Sequence, residues 1–225
     1  MGAGGWRLGA LMLPEDLSEQ LRDPIIGVSS EIHSSVATPI QEAAITAFQW
    51  DDKLKKHITF QRKTLKNLGG WCQKKLNSDA IRAHKPEGAF YLFLDFMPIA
   101  QDLEKNHNIK TSQQLCDYIR DNLGVTLLTG DQFGLHPEHL SARLAYVDFD
   151  GDKAIKSLMR RKDKEDQNNI KSKFLNKYCA NVIDGVTRIS DWSKQFTPIK
   201  DIQTPTFKNH RPNSSINTDY TNNIN

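Results

Sequence analysis

Lys85-Pro86-Glu87-Gly88-Ala89-Phe90-Tyr91-Leu92-Phe93-Leu94-Asp95-Phe96 is the stretch on which the fold class turns. Pro86 and Gly88 punctuate the chain. The run from Ala89 to Phe96 is rich in the aromatic and aliphatic side chains that suit a pleated surface, and it reads as a strand. Downstream, Thr111-Ser112-Gln113-Gln114 is a capping box, with Leu115, Tyr118, Ile119 and Leu123 following on one helical face. Gly124 stands where that helix must end, and Val125 to Leu128 leaves it as a strand. Leu144 to Phe149 makes another strand, closed by the turn Asp150-Gly151, before a helix from about Asp152 that turns Ile155, Leu158 and Met159 inward. Strands joined by helices between about residues 50 and 160 predict a small α/β domain.

Upstream, Trp6-Arg7-Leu8-Gly9-Ala10-Leu11-Met12-Leu13 is a mostly apolar run closed by Pro14, and it reads as a buried strand. A buried strand needs neighbours on both sides, and nothing before it supplies one. The chain is therefore expected to begin in the middle of a sheet. Thr38-Pro39-Ile40-Gln41 reads as a second capping box, with proline at the first helical position. Ile40, Ala43, Ala44, Ala47 and Phe48 share a face, and helical character is expected to continue to Trp71. Lys53, Lys55, Lys56, Arg62, Lys63 and Lys66 then lie mostly on the wet side, and Gly69-Gly70 interrupts the pattern. Past residue 160 a mixed charge run, Arg160 to Asp166, reads as a solvated helix face. One or two helices then lead to Phe196, and from Thr204 a tail rich in Asn, Ser, Thr and Pro reads as disordered.

Hydrophobic residues make up 38% of the 225 and charged residues 25%, enough for a core. Lys and Arg total 30 against 27 Asp and Glu, a balance too even to argue for nucleic acid or an anionic membrane surface. No apolar run approaches the ~20 residues that span a bilayer. The first residues lack the apolar stretch and cleavage site of a secretory signal. Cys72, Cys116 and Cys179 lie far apart and form no CxxC pair, which reads as reduced thiols in a reducing, cytoplasmic setting without a zinc or disulfide framework. The histidines show no metal-ligand spacing.

Two arginines stand out. Arg7 sits inside an apolar run, and a buried guanidinium without an anion costs several kcal/mol. Either it reaches solvent at a strand end or it holds a fixed anion. Arg143, in Ser141-Ala142-Arg143-Leu144-Ala145-Tyr146-Val147, repeats the pattern. It reads either as an exposed edge residue or as a carboxylate clamp, because guanidinium grips a carboxylate with two parallel hydrogen bonds. Leu128-Thr129-Gly130-Asp131-Gln132-Phe133-Gly134 supplies a turn near it, in which Phe133 can wall a pocket.

Five pieces in order carry a resemblance: Gly5-Trp6-Arg7-Leu8-Gly9, Ser35-Val36-Ala37-Thr38-Pro39-Ile40-Gln41-Glu42-Ala43-Ala44, Pro86-Glu87-Gly88-Ala89-Phe90-Tyr91-Leu92-Phe93, Thr129-Gly130-Asp131-Gln132-Phe133-Gly134 and Ala142-Arg143-Leu144. Together, over roughly residues 2 to 160, they resemble the class I/II aminotransferases, dimeric enzymes of fold type I that use pyridoxal 5'-phosphate (PLP). The resemblance implies a C-terminal portion of that fold. Residues 1–37 would be the end of the large PLP-binding domain, 38–72 an interdomain helix and 73–160 the small α/β domain. A helical extension over 161–203 and the disordered tail over 204–225 would follow.

The resemblance also implies that Arg7 binds the cofactor phosphate and that Arg143 pairs with the substrate α-carboxylate, with Gly130 and Phe133 shaping the pocket mouth. Thr129 stands where the family commonly has proline. The family's Schiff-base lysine lies eight residues before the phosphate-binding arginine. Counting back from Arg7 passes Met1, so that lysine is expected to be absent from this chain, leaving no catalytic residue in it. The substrates implied are an amino acid and a 2-oxo acid, with no nucleic acid or membrane as partner. The chain is expected either to be a truncated or inactive portion of the enzyme, homodimeric like its family, or to be a non-catalytic protein that pairs with a full-length relative.

Overall fold

A computed structural model describes residues 2, 4–161 and 172–199. The tail read as disordered, and the charge run beyond Arg161, lie outside the described residues. A four-stranded antiparallel sheet organises the rest, with strands in the order β1 (Arg82–Ala83), β2 (Tyr91–Asp95), β4 (Ser141–Ala145), β3 (Leu128–Thr129). In β2 the side chains alternate strictly. Leu92 and Leu94 are buried while Tyr91 and Phe93 stay 37% exposed, so the sheet has one dry face and one open face.

The eight helices among the described residues are α1 (Glu15–His33), α2 (Thr38–Ala47), α3 (Asp52–Leu76), α4 (Ala100–His107), α5 (Ser112–Leu123), α6 (Gly151–Met159), α7 (Ser172–Tyr178) and α8 (Ala180–Ser193). α3 packs against β1, β2, α6 and α8, and α5 packs against β3, β4 and α8. One core runs from Phe60 to Phe196 and includes Leu68, Leu92, Leu94, Leu115, Ile119, Leu144, Leu158, Val186 and Ile189. The core does not stop at residue 160, because Val186, Ile189 and Trp192 on α8 close it.

Several local expectations hold. Thr111 and Gln114 form a reciprocal capping box, and Gly124 ends α5 in the left-handed region at φ 63°. Others shift. The strand expected over Ala89–Phe96 is confined to Tyr91–Asp95, and the one expected over Leu144–Phe149 is Ser141–Ala145. The strand expected over Val125–Leu128 pairs only at Leu128–Thr129. Strand ends here are set by which partner residues are available to bond, something a single segment does not contain.

Three expectations are overturned. Trp6 to Leu13 is no strand: a 3-10 turn at Gly4–Trp6 is followed by irregular backbone, exposed from Gly4 to Met12. Among the described residues no strand lies beside it to take up its N–H and C=O groups, and without a ladder a strand does not form. The capping box at Thr38 is shifted. Ala37 occupies the N-cap position, and Gln41 donates its side-chain amide to the Val36 carbonyl at 2.6 Å. The single helix from Thr38 to Trp71 is two, broken at Phe48–Asp51. Asp51 restarts it by accepting the Leu54 amide at 2.7 Å.

α3 also runs straight through Gly69-Gly70. The two glycines differ. A Cβ on Gly69 would lie 2.6 Å from Oη of Tyr146, whereas one on Gly70 would meet nothing within 4 Å. Gly69 is therefore the place where helix and sheet approach closely, held by a buried tyrosine that cannot step aside. Gly69→Ala is expected to destabilise by about 1–3 kcal/mol through overpacking. Gly70→Ala should stabilise by up to about 1 kcal/mol, the helix-propensity gain. Thermal melts of the two variants give opposite signs if this is right.

Candidate functional site

The open face of the sheet carries the candidate site. Backbone register places Phe93 of β2 and Leu128 of β3 directly across from Arg143 of β4. The guanidinium carbon of Arg143 sits 4.2 Å from the Tyr91 ring centroid and 4.6 Å from that of Phe133. Phe133 in turn meets Phe93 edge to face, with centroids 6.0 Å apart. Such contacts orient a guanidinium and contribute about 0.5–2 kcal/mol each. They leave its forked N–H groups unused. Among the described residues no carboxylate pairs with Arg143, and its Nε is buried without a hydrogen-bond partner. A cation so held and left without a counter-ion is suited to receiving an anion.

The turn that brings Phe133 over Arg143 depends on two glycines. A Cβ on Gly130 would collide with Oγ of Ser141, so only glycine lets this backbone rest on β4. Gly134 takes the left-handed conformation at φ 86° and closes the turn. Ser141 is itself anchored, its Oγ donating to the His139 carbonyl at 2.9 Å and its amide donating to Oγ of Ser112 at 3.2 Å. Thr129, at the start of the turn, is buried with its hydroxyl unpartnered.

Arg7 has a different setting. It lies exposed just after the 3-10 turn at a positive φ of 55°, and its Nη1 donates to the Gly4 carbonyl at 3.3 Å. No hydrogen bond, ion pair or ring contact among the described residues joins it to Arg143. Of the two arginines, the sheet positions one. The aromatic partners Tyr91 and Phe93 were not singled out as site residues in the sequence. The signal was there in the β alternation, which puts 91, 93 and 95 on one face.

Other chemistry is weaker. A cleft of about 400 Å³ beside α8, lined by Gly124, Thr126, Asp148, Asn181, Asp184 and Arg188 among others, touches neither arginine. Among the described residues no group of His, Cys, Asp and Glu is arranged to hold a metal ion, and no helix is long and apolar enough to cross a membrane. The thiols of Cys72, Cys116 and Cys179 are free and buried. Burial pushes Cys72 and Cys116 up to about 12 and Cys179 to about 11. The thiolate is the reactive form, so these groups are not nucleophiles. At pH 8 the native protein is expected to resist iodoacetamide for hours, while all three thiols label in guanidinium chloride. Rapid labelling of the native protein contradicts this.

The family model for aminotransferase class I and II matches residues 1–151. A bifunctional aspartate aminotransferase and glutamate/aspartate-prephenate aminotransferase from Petunia hybrida is 26% identical over 132 residues, covering 58% of this chain and 27% of that protein. An aspartate aminotransferase from Sulfurisphaera tokodaii is 26% identical over 143 residues, covering 64% of this chain and 33% of that protein. Among solved structures, the aspartate aminotransferase from Rhizobium meliloti matches with a TM-score of 0.51 at 20% identity, covering 87% of this chain and 40% of that one. The aromatic aminotransferase from Pyrococcus horikoshii matches at 0.54 and 19% identity, covering 86% and 40%. This chain thus spans well under half the length of the proteins it matches, and with the family model covering most of it, it belongs to the class I and II aminotransferases.

Proposed function

We propose that this chain is a C-terminal portion of a PLP-dependent aminotransferase, serving transfer of an amino group between an amino acid and a 2-oxo acid in the cytoplasm. The observation that carries the reading is Arg143, held between Tyr91 and Phe133 on the open sheet face with no carboxylate paired to it among the described residues. In this role its guanidinium receives the substrate α-carboxylate through two parallel N–H···O bonds. Tyr91 and Phe133 hold it in place and keep water from its faces, which strengthens the ion pair by lowering the local dielectric.

The residues present fit one end of the cofactor. Arg7 is exposed, faces no carboxylate among the described residues, and is the group that would hold the phosphate. When bound, PLP supplies an electron sink for charge developing at the substrate α-carbon. The family's Schiff-base lysine, eight positions before Arg7, would lie outside these residues, and we assign anion recognition to the residues present. The catalytic lysine and the rest of the large domain then come from outside these 225 residues. The assembly we infer is the homodimer of the family. A second reading, a non-catalytic protein that pairs with a full-length aminotransferase, is favoured by the apolar side chains that α1 leaves exposed.

Two measurements test the proposal. Titrating the chain with a 2-oxo acid should shift the ring resonances of Tyr91 and Phe133. Arg143→Gln should weaken that binding at least about tenfold, the scale of a lost charge-assisted pair. Equal binding by the variant rejects Arg143 as the clamp. Separately, the 225-residue chain mixed with PLP should give no absorbance band that responds to added amino acid. A responsive band with amino-group transfer would show that another lysine in the chain carries the cofactor.

A further inference from the structure

α6 has two unlike faces. Ala154, Ile155 and Leu158 are buried in the core, while Lys153, Lys156, Ser157 and Arg160 recur at helical spacing on the side away from it. At 1.5 Å of rise per residue, those four cover about 10 Å of the helix. α7 packs against α6 and brings Tyr178 to the same side. Lys153, Lys156, Ser157, Arg160 and Tyr178 together line a cleft of about 350 Å³. Every side chain lining it is a cation or carries a hydroxyl. The cleft lies past residue 151, where the family match ends, and neither Arg7 nor Arg143 lines it.

The positive charge is not cancelled locally. Residues 150–161 and 172–179 carry Lys153, Lys156, Arg160, Arg161, Lys173 and Lys177 against Asp150 and Asp152. Asp150 pairs with Lys153 at 2.9 Å and Asp152 with Lys156 at 2.7 Å. Both are exposed pairs along the helix, of a kind that contributes at most about 1 kcal/mol, so an incoming anion of higher charge displaces them at little cost. No ion pair among the described residues reaches Arg160. Residues 162–171, outside the described residues, hold three lysines against three acids and leave the balance unchanged. The positive field also registers on the one phenol present. The hydrogen bond with Ser157, and after it the charges of Lys177 and Arg161, hold the Tyr178 hydroxyl below its ordinary pKa.

We propose that this cleft binds the linked phosphate groups of a small phosphorylated molecule. Lys153 and Lys156 supply compact positive charge, Arg160 supplies a fork of parallel N–H donors, and Ser157 and Tyr178 supply O–H donors. A carboxylate offers two oxygens and a single charge, which one guanidinium satisfies. A phosphate group offers three strong acceptor oxygens and nearly two charges, and it uses ammonium, guanidinium and hydroxyl donors together. The line of cations along α6 is long enough to serve two linked phosphates. This site is independent of the aminotransferase reading, because none of its residues takes part in that one.

Calorimetric titration of the full 225-residue chain with inorganic pyrophosphate, at low ionic strength where screening is weakest, is the test. Binding is expected, together with a shift of the Tyr178 ring resonances. Lys156→Gln with Arg160→Gln should weaken it at least about tenfold, the scale of lost charge-assisted hydrogen bonds. Both side chains are exposed, so the variant should melt as the wild type does. Lys53→Gln with Lys56→Gln removes the same charge from exposed positions on α3 and should leave binding unchanged, as should Arg7→Gln with Arg143→Gln. No heat and no Tyr178 shift at millimolar pyrophosphate overturns the proposal. Equal weakening by the α3 variant also overturns it, because binding then follows net charge and not the cleft. Sedimentation with phosphatidylglycerol vesicles in the absence of any pyrophosphate binding would make the cluster a membrane-facing surface, and the proposal falls.

Discussion

The antiparallel pairing of β2 with β4 is the constraint from which the rest of the described structure follows. Its register sets Phe93 against Arg143 and Leu92 against Leu144, and the two-residue period of a strand then divides the sheet into two unlike faces. Leu92, Leu94, Ala142 and Leu144 go under the helices, while Tyr91, Phe93 and Arg143 go to the open side. A slip of one residue would bury the guanidinium beneath α3 and α5 and expose the leucines. The burial of four apolar side chains and the desolvation cost of one cation therefore act in the same direction, and together they hold Arg143 on the open face of the sheet.

Around that pair the structure is held at a few close approaches. Gly69 lets α3 reach Tyr146, and Gly130 lets the turn over Arg143 rest on Ser141. The carbonyl of His139 ties Ser112 at the start of α5 to Ser141 at the start of β4. These contacts link the helices of the dry side to the turn that carries Phe133. The guanidinium is thus positioned by the same packing that makes the domain fold, with no flexible loop intervening.

The segment before α3 is of another kind. From Gly4 to Asp52 every residue is exposed or only half-buried, and the apolar groups of α1 face outward. The chain covers 40% of either solved relative. None of the residues of α1 is buried.

Much of the domain was legible in the residues themselves. The capping box at Thr111, the stop at Gly124, the strand around Leu92 and the odd position of Arg143 all follow from local chemistry: which side chain can cap, which residue tolerates a left-handed backbone, which pattern alternates. The family was legible too, through five short pieces in order. What the sequence could not decide was anything that depends on a neighbour. Trp6 to Leu13 has the composition of a buried strand and is none, because among the described residues no strand stands beside it to bond. Gly69-Gly70 has the composition of a break and lies inside a helix, where Tyr146 occupies the space that a side chain on Gly69 would need. Tyr91 and Phe133 became partners of Arg143 only once β2, β4 and the Gly130 turn were assembled. Local propensity fixed the elements, and the tertiary structure chose their ends and their contacts, because hydrogen-bond ladders and close packing are properties of pairs.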